Sequence, residues 1–435
     1  MSIIRLYLYL IIILSFTGSN FYAIDYQGLN VSLFRLVTIL LPLISIFAIK
    51  DRNYEFFYHK HFLKCYLMRL FYPRYISFLL IWGVYALCSI LWVSSLYYWF
   101  IANYFILIGI LCVVTFNLSF KNIKHILICI YIVWILCWVH SCVGWVEVIS
   151  GKYYFLHNIK DIMVYQTNIM PVSSFGNTND FATCMLIGIF VSIGLMHRYK
   201  SKLSRLFMLF NIINMFALII LSSSRANIIG VVLGICFLRL IYDNASIFRN
   251  FFIICLGCVV VFTISYIGYP TLLTNIEELW KAIISSNEMP SSINIRKNLI
   301  LNGMVFLRET YFMGVGAGNS SYYMLTKNIF PTWGILNMHN WWLEILIDYG
   351  VIIFCGYVHF YIRMICDNIK IYRVLNITDK YSVRGIALSF VGFLIAYSFA
   401  SISSSSNLSN EFIWIVFALI LSFLNVYYRC DYMKN

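Results

Sequence analysis

The sequence predicts an all-α integral membrane protein of about 12 transmembrane helices. Of its 435 residues, 62% are hydrophobic and only 11% are charged, whereas soluble domains carry roughly 45 to 50% apolar and about 25% charged residues. Long apolar runs recur along the whole chain, and each is long enough to cross a bilayer. This composition excludes a soluble globular domain. The 13 cysteines stand in apolar stretches, which favours packing over redox or zinc chemistry.

Hydropathy predicts the position of each span. The first run resembles a signal peptide, but Arg5 is the only charge before it and no A-x-A cleavage site follows, so we expect an uncleaved anchor. The predicted spans cover residues 6–23, 30–49, 75–93, 98–119, 126–148, 181–197, 206–222, 226–242, 250–268, 340–362, 385–402 and 409–428.

Basic residues predict the orientation of these spans. In a soluble protein, a net charge of +14 would suggest nucleic acid as a partner, but here topology and anionic lipid headgroups explain it better. With both termini in the cytoplasm, 22 of the 31 Lys and Arg residues lie on the inner side. The nine on the outer side are Arg35, Lys152, Lys160, Arg225, Lys281, Arg296, Lys297, Arg308 and Lys327.

A long outer segment, residues 269–338, separates the ninth and tenth predicted spans. Residues 273–286 and 294–309 are amphipathic, so we expect this loop to form short helices over the membrane surface. No flexible linker and no internal repeat is visible in the sequence. The chain is therefore expected to be one polytopic domain, 1–435, with one large extracytoplasmic loop.

The outer side carries arginines in two unusual places. Residues 222–227, SSSRAN, form a tight turn between two apolar spans with Arg225 inside it. A guanidinium at this depth must be paired or must face water, and an arginine that reaches to lipid headgroups satisfies this as well as a binding site does. The loop carries Arg296 and Arg308, either of which can be a solvated loop charge, and the glycines at 314–318 indicate a tight turn.

The tenth predicted span begins at a polar sequence. His339 and Asn340 precede it, and Asn340, Glu344 and Asp348 recur at i, i+4 and i+8 on one helical face. Carboxylates on a membrane span are costly unless they are paired or line a polar cavity. His339 has an intrinsic pKa suited to accept a proton near neutral pH, although a single interfacial histidine can equally be structural.

Four stretches of this sequence resemble the O-antigen ligase and polymerase superfamily, membrane enzymes of bacterial surface-polysaccharide assembly. Residues 174–182, SFGNTNDFA, resemble the family's GN-x-N segment, and residues 223–226, SSRA, resemble its S-R-(G/A) turn. Residues 314–319, GVGAGN, are similar to its glycine turn. His339 and Asn340, then nine further residues and Gly350, resemble its H-(N/S/Q)-x9-G-x-x-G element. The second glycine of that element is Ile353 here, and the R-x3-L pattern of ligases ends in Ile300. The ordered motifs cover roughly residues 170–355.

The resemblance implies a glycosyltransferase at the outer face of the bacterial cytoplasmic membrane. Its donor would be a glycan on undecaprenyl pyrophosphate, and its acceptor a sugar hydroxyl. The implied substrate-binding residues are Arg225, Arg296 and Asn340, with Arg308 as a competitor for the loop position. His339 would act as the general base, and Glu344 would support it. Membrane lipids, a chain-length regulator and a flippase of the same pathway are the implied partners.

The residues do not favour a metal or another cofactor. No D-x-D pair occurs on the predicted outer side, and the outer histidines, His140, His157 and His339, are scattered. We therefore expect a metal-independent enzyme that holds pyrophosphate with arginines. Trp333, Trp341 and Trp342 can stack on sugars, although interface belts also account for the 18% aromatic content.

Three functions are compatible with these features. We favour a polymerase, which extends another lipid-linked repeat unit, because both ligase signatures are imperfect, at Ile300 and Ile353, and no added acceptor domain is visible. The alternative is a ligase, which transfers the glycan to lipid A core or to protein. A flippase or transporter fits less well, because such proteins usually show repeat symmetry and this sequence shows none.

Overall fold

Helices dominate the part of the chain that the computed structural model describes, which is residues 2–18, 24–26, 29–44, 46, 75–155, 169–242, 292–375, 383–403 and 407–432. The first elements are α1 (Ser2–Phe16), the paired strands β1 (Ile24–Tyr26) and β2 (Leu29–Val31), α2 (Leu33–Thr38), α3 (Tyr75–Cys88), α4 (Leu96–Ser119) and α5 (Ile123–Ser150). They are followed by α6 (Thr178–Met196), α7 (Lys202–Leu221), α8 (Arg225–Tyr242), α9 (Ser292–Glu309), α10 (Asn319–Thr326), α11 (Trp341–Val374), α12 (Val383–Ala400) and α13 (Glu411–Tyr432).

Seven of the described helices are long and apolar enough to cross a membrane: α4, α5, α6, α7, α11, α12 and α13. They confirm the predicted all-α membrane protein. Two further helices, α1 and α3, are apolar but shorter. The predicted span 250–268 and the loop stretch 273–286 lie outside the described residues, so the count of 12 remains a prediction. The helix expected over residues 294–309 is present as α9.

The predicted span 30–49 is not one continuous helix. Within it, α2 ends at Thr38 and a turn follows. Arg35 of α2 is 4% exposed, donates from Nε to Glu411 Oε1 at 2.8 Å and lies 4.6 Å from the Phe105 ring centroid. A buried arginine requires such a partner. Arg35 thus connects α2 to the start of α13, and the chain is helical again at 41–44, with Ile39 and Leu43 exposed.

The most buried spans are α6, α12 and α13, which form the centre of the bundle. Small residues allow them to approach closely, as is usual for helices that pack in lipid. An ideal Cβ at Gly194 of α6 would overlap the Gly385 carbonyl oxygen of α12. Gly194 lies near the end of α6 and Gly385 near the start of α12, so the two helices are antiparallel. The first residues of α6 and the last residues of α12 therefore lie at the same end of the bundle.

A sharp break divides α11 at Gly350, where φ is 75° and ψ is 178°. In a straight helix, Trp341 and Tyr357 would lie roughly 24 Å apart along the axis, yet Trp341 Nε1 donates to the Tyr357 hydroxyl at 2.9 Å. The two limbs, 341–349 and 351–374, therefore enclose an acute angle. Trp82 fills this angle, since its ring contacts those of Trp341, Tyr349 and Tyr357.

The glycine turn at residues 314–318 docks onto this break. The Val315 and Gly316 amides donate to the Ile347 and Asp348 carbonyl oxygens, each at 2.9 Å, and Val351 N donates to Phe312 O at 3.0 Å. Carbonyl groups that lose their helical partners at the break are thereby satisfied. A Cβ at Gly350 would overlap the Met313 carbonyl, so the motif glycine permits a break and a docked turn instead of close helix packing. Ile353, in place of the family's second glycine, is buried in the core.

We predict that Gly350→Ala lowers the stability of the protein strongly. The backbone at Gly350 occupies a region that is nearly restricted to glycine, at a cost of about 1 to 3 kcal/mol for other residues, and the added Cβ meets backbone atoms. The matched control is Gly334→Ala, which has φ of 82° but no atom within 4 Å of the added Cβ. Thermal unfolding in detergent should give a much larger loss for Gly350→Ala. Equal losses would mean that the docked turn adds nothing to the requirement for glycine.

Candidate functional site

The turn that carries Arg225 is fixed by the start of α6. Asn177 caps α6, since its side chain accepts from Asn179 N at 2.8 Å. The Asn179 side chain then accepts from Ser224 Oγ at 2.6 Å, and Asn227 Nδ2 donates to Ser224 Oγ at 2.9 Å. Arg225 is the first residue of α8 and its side chain is exposed. The GN-x-N segment and the S-R turn are thus one hydrogen-bonded unit that presents a guanidinium.

Residues 401–403, directly after α12, connect the turn of Arg225 to the segment that contains His339 and Asn340. Ser403 Oγ donates to Asn179 Oδ1 at 3.2 Å. The Ser401 carbonyl oxygen accepts from Trp341 N at 3.0 Å, two residues after His339. His339 has φ of 47°, so its backbone is held in the left-handed region at the entrance to α11. The turn of Arg225 and the segment of His339 therefore lie at the same end of the bundle, on either side of residues 401–403.

Helix α9 places the two competing loop arginines far apart. Arg296 lies in its second turn and Arg308 in its last, and 12 residues of helix separate them by roughly 18 Å. The charge of Arg225 reaches Arg296, and the charge of Arg296 reaches His339. Arg308 is exposed at the carboxyl end of α9, where a cation is favoured by the helix dipole. These charge effects group Arg296, and not Arg308, with Arg225 and His339.

The electrostatics of the three residues reflect this proximity. Burial lowers the pKa of the Arg296 guanidinium, and the positive charge of Arg225 lowers it further. Burial also lowers the pKa of the His339 imidazole below its ordinary value, and the Arg296 charge adds to this effect. Two guanidinium groups repel one another unless an anion lies between them, and the histidine beside them is held in its neutral form at pH 7. The cluster is suited to an anionic ligand next to a base.

Helices α6, α8 and α11 are among the described helices that begin at this end of the bundle. Their first residues are Thr178 of α6, Arg225 of α8 and Trp341 of α11, and hydrogen bonds of Asn179 and of residues 401–403 connect them. A helix N-terminus carries a partial positive charge and unpaired N–H groups. These dipoles add to the positive charge of the two guanidinium groups, and the acidic residues Asp180 and Glu344 lie in the first turns of α6 and α11.

The acidic face expected at the start of α11 has another use. Asn340 is the N-cap residue of α11. Its side-chain Oδ1 accepts from Trp342 N at 3.1 Å and from Leu343 N at 3.3 Å, so this oxygen is used to cap the helix. Asp348 is fully buried and accepts from Gly318 N at 3.1 Å and Ser320 N at 2.8 Å. It therefore anchors the glycine turn and α10. Glu344 lies in the first turn of α11, 7% exposed, and its role beside His339 stays a prediction.

Sequence reasoning did not identify Asn179 or the segment 401–410 as parts of the site. Asn179 lies inside the GN-x-N segment, which was used only as evidence of family resemblance. In residues 401–410, eight of ten are Ser or Asn, although apolar spans flank them. That polar run between two spans was the available signal. It supplies Ser401 and Ser403, and also Asn410, whose Nδ2 donates to Asp180 Oδ1 at 3.0 Å.

The described residues include no group of three or more His, Cys, Asp or Glu side chains that could hold a metal ion. His140, one of the outer histidines, is buried and hydrogen-bonded to Ser173 Oγ at 2.9 Å and to the Phe16 carbonyl at 2.7 Å. His157 lies outside the described residues. Whether the reaction proceeds without a metal remains a prediction.

Comparison with known proteins agrees with the motifs. Residues 206–358, which contain Arg225, Arg296 and His339, match the family model described as O-antigen ligase. Over 98% of its length, the chain is also 26% identical to the teichuronic acid biosynthesis protein TuaE of Bacillus subtilis (strain 168), of which it covers 86%. These matches confirm the resemblance to the O-antigen ligase and polymerase superfamily. The chain is thus similar to this family over residues 206–358 and to TuaE over nearly its whole length.

Proposed function

We propose that this protein is a polysaccharide polymerase that transfers a glycan from polyprenyl pyrophosphate to the terminal sugar of another lipid-linked repeat unit, on the extracytoplasmic side of the membrane. The observation that carries the proposal is the grouping of Arg225, Arg296 and His339 where α6, α8 and α11 begin. Two planar guanidinium groups fit a pyrophosphate, which each can bind through two parallel hydrogen bonds. The excess of basic residues on the inner side of the predicted topology supports the extracytoplasmic location.

The proposed reaction is a single group transfer. The acceptor hydroxyl oxygen attacks C1 of the donor sugar and forms the new glycosidic bond, while the bond from C1 to the pyrophosphate oxygen breaks. The electron pair leaves with the polyprenyl pyrophosphate, whose growing negative charge Arg225 and Arg296 stabilise. His339 takes the proton of the acceptor hydroxyl. Arg225 and Arg296 supply the positive charge that offsets the leaving group, so the proposed reaction does not require a metal ion.

The ligase is the second candidate, and the family description favours it. Against it stand the two imperfect ligase signatures, at Ile300 and Ile353, and the similarity to a protein named for teichuronic acid biosynthesis is compatible with either activity. The two activities share the donor and differ in the acceptor. A flippase is distinguished from both by the chemistry, because it forms no glycosidic bond.

Glycan size analysis of a deletion strain tests the proposal. Loss of a polymerase should leave single repeat units on the final acceptor, whereas loss of a ligase should leave full-length polymer on the lipid carrier. Purified protein in detergent should elongate lipid-linked repeat units, which a flippase cannot do. Lipid-linked polymer of normal length in the deletion strain would exclude the polymerase.

We predict that His339→Ala reduces kcat/KM by about 10² to 10⁴ while the protein still inserts, because the general base is lost.

The parent enzyme should retain activity at pH values below the ordinary histidine pKa of about 6.5, since a base with a lowered pKa stays neutral there. Removal of the neighbouring charge in Arg296→Gln should raise the pKa of His339 and move the acidic limb of the residual kcat/KM to higher pH. Arg308→Gln is the control and should leave the limb in place. If the acidic limb of the pH profile is unchanged in Arg296→Gln, that limb does not report the titration of His339.

We predict that Arg225→Lys and Arg296→Lys each lower activity by about ten- to a hundredfold, because lysine offers a point charge where a planar fork is needed. Arg308→Lys, at the far end of the same helix, should behave like the parent. These variants are compared in an assay with purified enzyme and lipid pyrophosphate donor, with and without chelator. Damage confined to Arg308→Lys would mean that the loop arginine has been misassigned. Inhibition of the parent by chelator would contradict the metal-free mechanism.

A further inference from the structure

Trp333 lies in a tight turn that an aromatic residue rarely occupies. Residues 332–335 form a β-turn closed by Ile335 N donating to Thr332 O at 3.0 Å. Its two central residues, Trp333 and Gly334, have φ of 49° and 82°. Positive φ at both positions is the signature of a type I′ turn, in which Asn, Asp and Gly are preferred. A bulky side chain in this conformation is strained, and such strain is often found at functional sites.

The surroundings hold this turn firmly while they leave the indole accessible. Asn302 of α9 binds the chain just before the turn, donating to Phe330 O at 2.8 Å and accepting from Phe330 N at 2.9 Å. Asn298 donates to Pro331 O at 2.9 Å. Trp333 is nevertheless 51% exposed, and an added Cβ at Gly334 would meet no atom within 4 Å. The turn is thus rigid and faces open space.

The two other tryptophans of this region are used within the fold. Trp341 is 3% exposed and donates to the Tyr357 hydroxyl, and Trp342 donates from Nε1 to Ser398 O at 3.0 Å. Trp333 is the one of the three whose ring is open to a ligand. It precedes His339 by six residues, so the two lie at most about 22 Å apart. A bound oligosaccharide of a few sugar units can span such a distance.

We propose that Trp333 is a stacking platform for a pyranose ring of the glycan substrate and so contributes to substrate specificity. The inference rests on the proposed function. The apolar C–H face of a sugar ring carries partial positive charge and fits the electron-rich face of an indole. A rigid turn presents that face without loss of conformational freedom on binding, which explains why a strained and exposed tryptophan is tolerated.

Trp333→Asn separates a binding role from a structural one, because asparagine suits the left-handed conformation while it removes the ring. Its thermal midpoint should equal or exceed that of the parent, and its KM for glycan should rise about tenfold with little change in kcat, as expected for the loss of one aromatic contact. Trp333→Phe should keep most of the affinity. The matched control is Tyr311→Asn, which removes another exposed aromatic residue, 88% exposed at φ of 51°, and should leave KM unchanged.

The experiment uses full-length enzyme in detergent with two substrates varied separately. One is the lipid-linked donor, and the other is a soluble oligosaccharide acceptor that lacks pyrophosphate and cannot act as a donor. A raised KM for either substrate supports the proposal and assigns the ring to that glycan. Unchanged KM values in Trp333→Asn overturn it, as does a loss of insertion or stability that accounts for the whole effect. If the parent enzyme forms no glycosidic bond, the proposed function itself fails, which is a separate result.

Discussion

The approach of two guanidinium groups, those of Arg225 and Arg296, is the constraint on which the site depends. Like charges destabilise each other most where water is scarce, and this chain has few charges of any kind. The lowered pKa of Arg296 reflects this cost: burial and the charge of Arg225 both oppose its protonated form. An anion between the two groups would relieve the repulsion. This end of the bundle is therefore suited to an anionic ligand.

The rest of this end of the bundle keeps the two arginines in place. Asn179 accepts hydrogen bonds from Ser224 and Ser403, so one side chain connects α6, the turn before α8 and the end of α12. Arg296 lies on α9, whose apolar side packs against α10, α11 and the glycine turn. Helix α10 and the glycine turn are anchored in turn by Asp348 and by the backbone hydrogen bonds at the break in α11. The site thus depends on backbone geometry at Gly350, although Gly350 carries no chemistry.

Much of this arrangement could be predicted from the sequence, but not its geometry. Composition was sufficient for an all-α membrane protein, and ordered motifs led to the prediction of Arg225, His339 and a loop arginine, either Arg296 or Arg308, as site residues. Hydropathy could not distinguish Arg296 from Arg308, because both lie on one amphipathic helix and only its placement tells them apart. It also predicted a continuous span over 30–49 and gave no sign that Arg35 within it pairs with Glu411, 376 residues away. The break at Gly350 and the capping role of Asn340 depend on dihedral angles and hydrogen bonds that apolar periodicity does not encode.

The same charges that bind an anion also adjust the base. In the empty protein, burial and Arg296 keep the pKa of His339 low, so the imidazole is neutral and able to accept a proton. A pyrophosphate bound to Arg225 and Arg296 would offset their positive charge and thereby raise the proton affinity of His339. In the proposed reaction the base would therefore become stronger when the donor is bound, and the negative charge that grows on the leaving group would stabilise the proton that His339 accepts. Arg296 beside His339 would in this way couple donor binding to deprotonation of the acceptor through electrostatics.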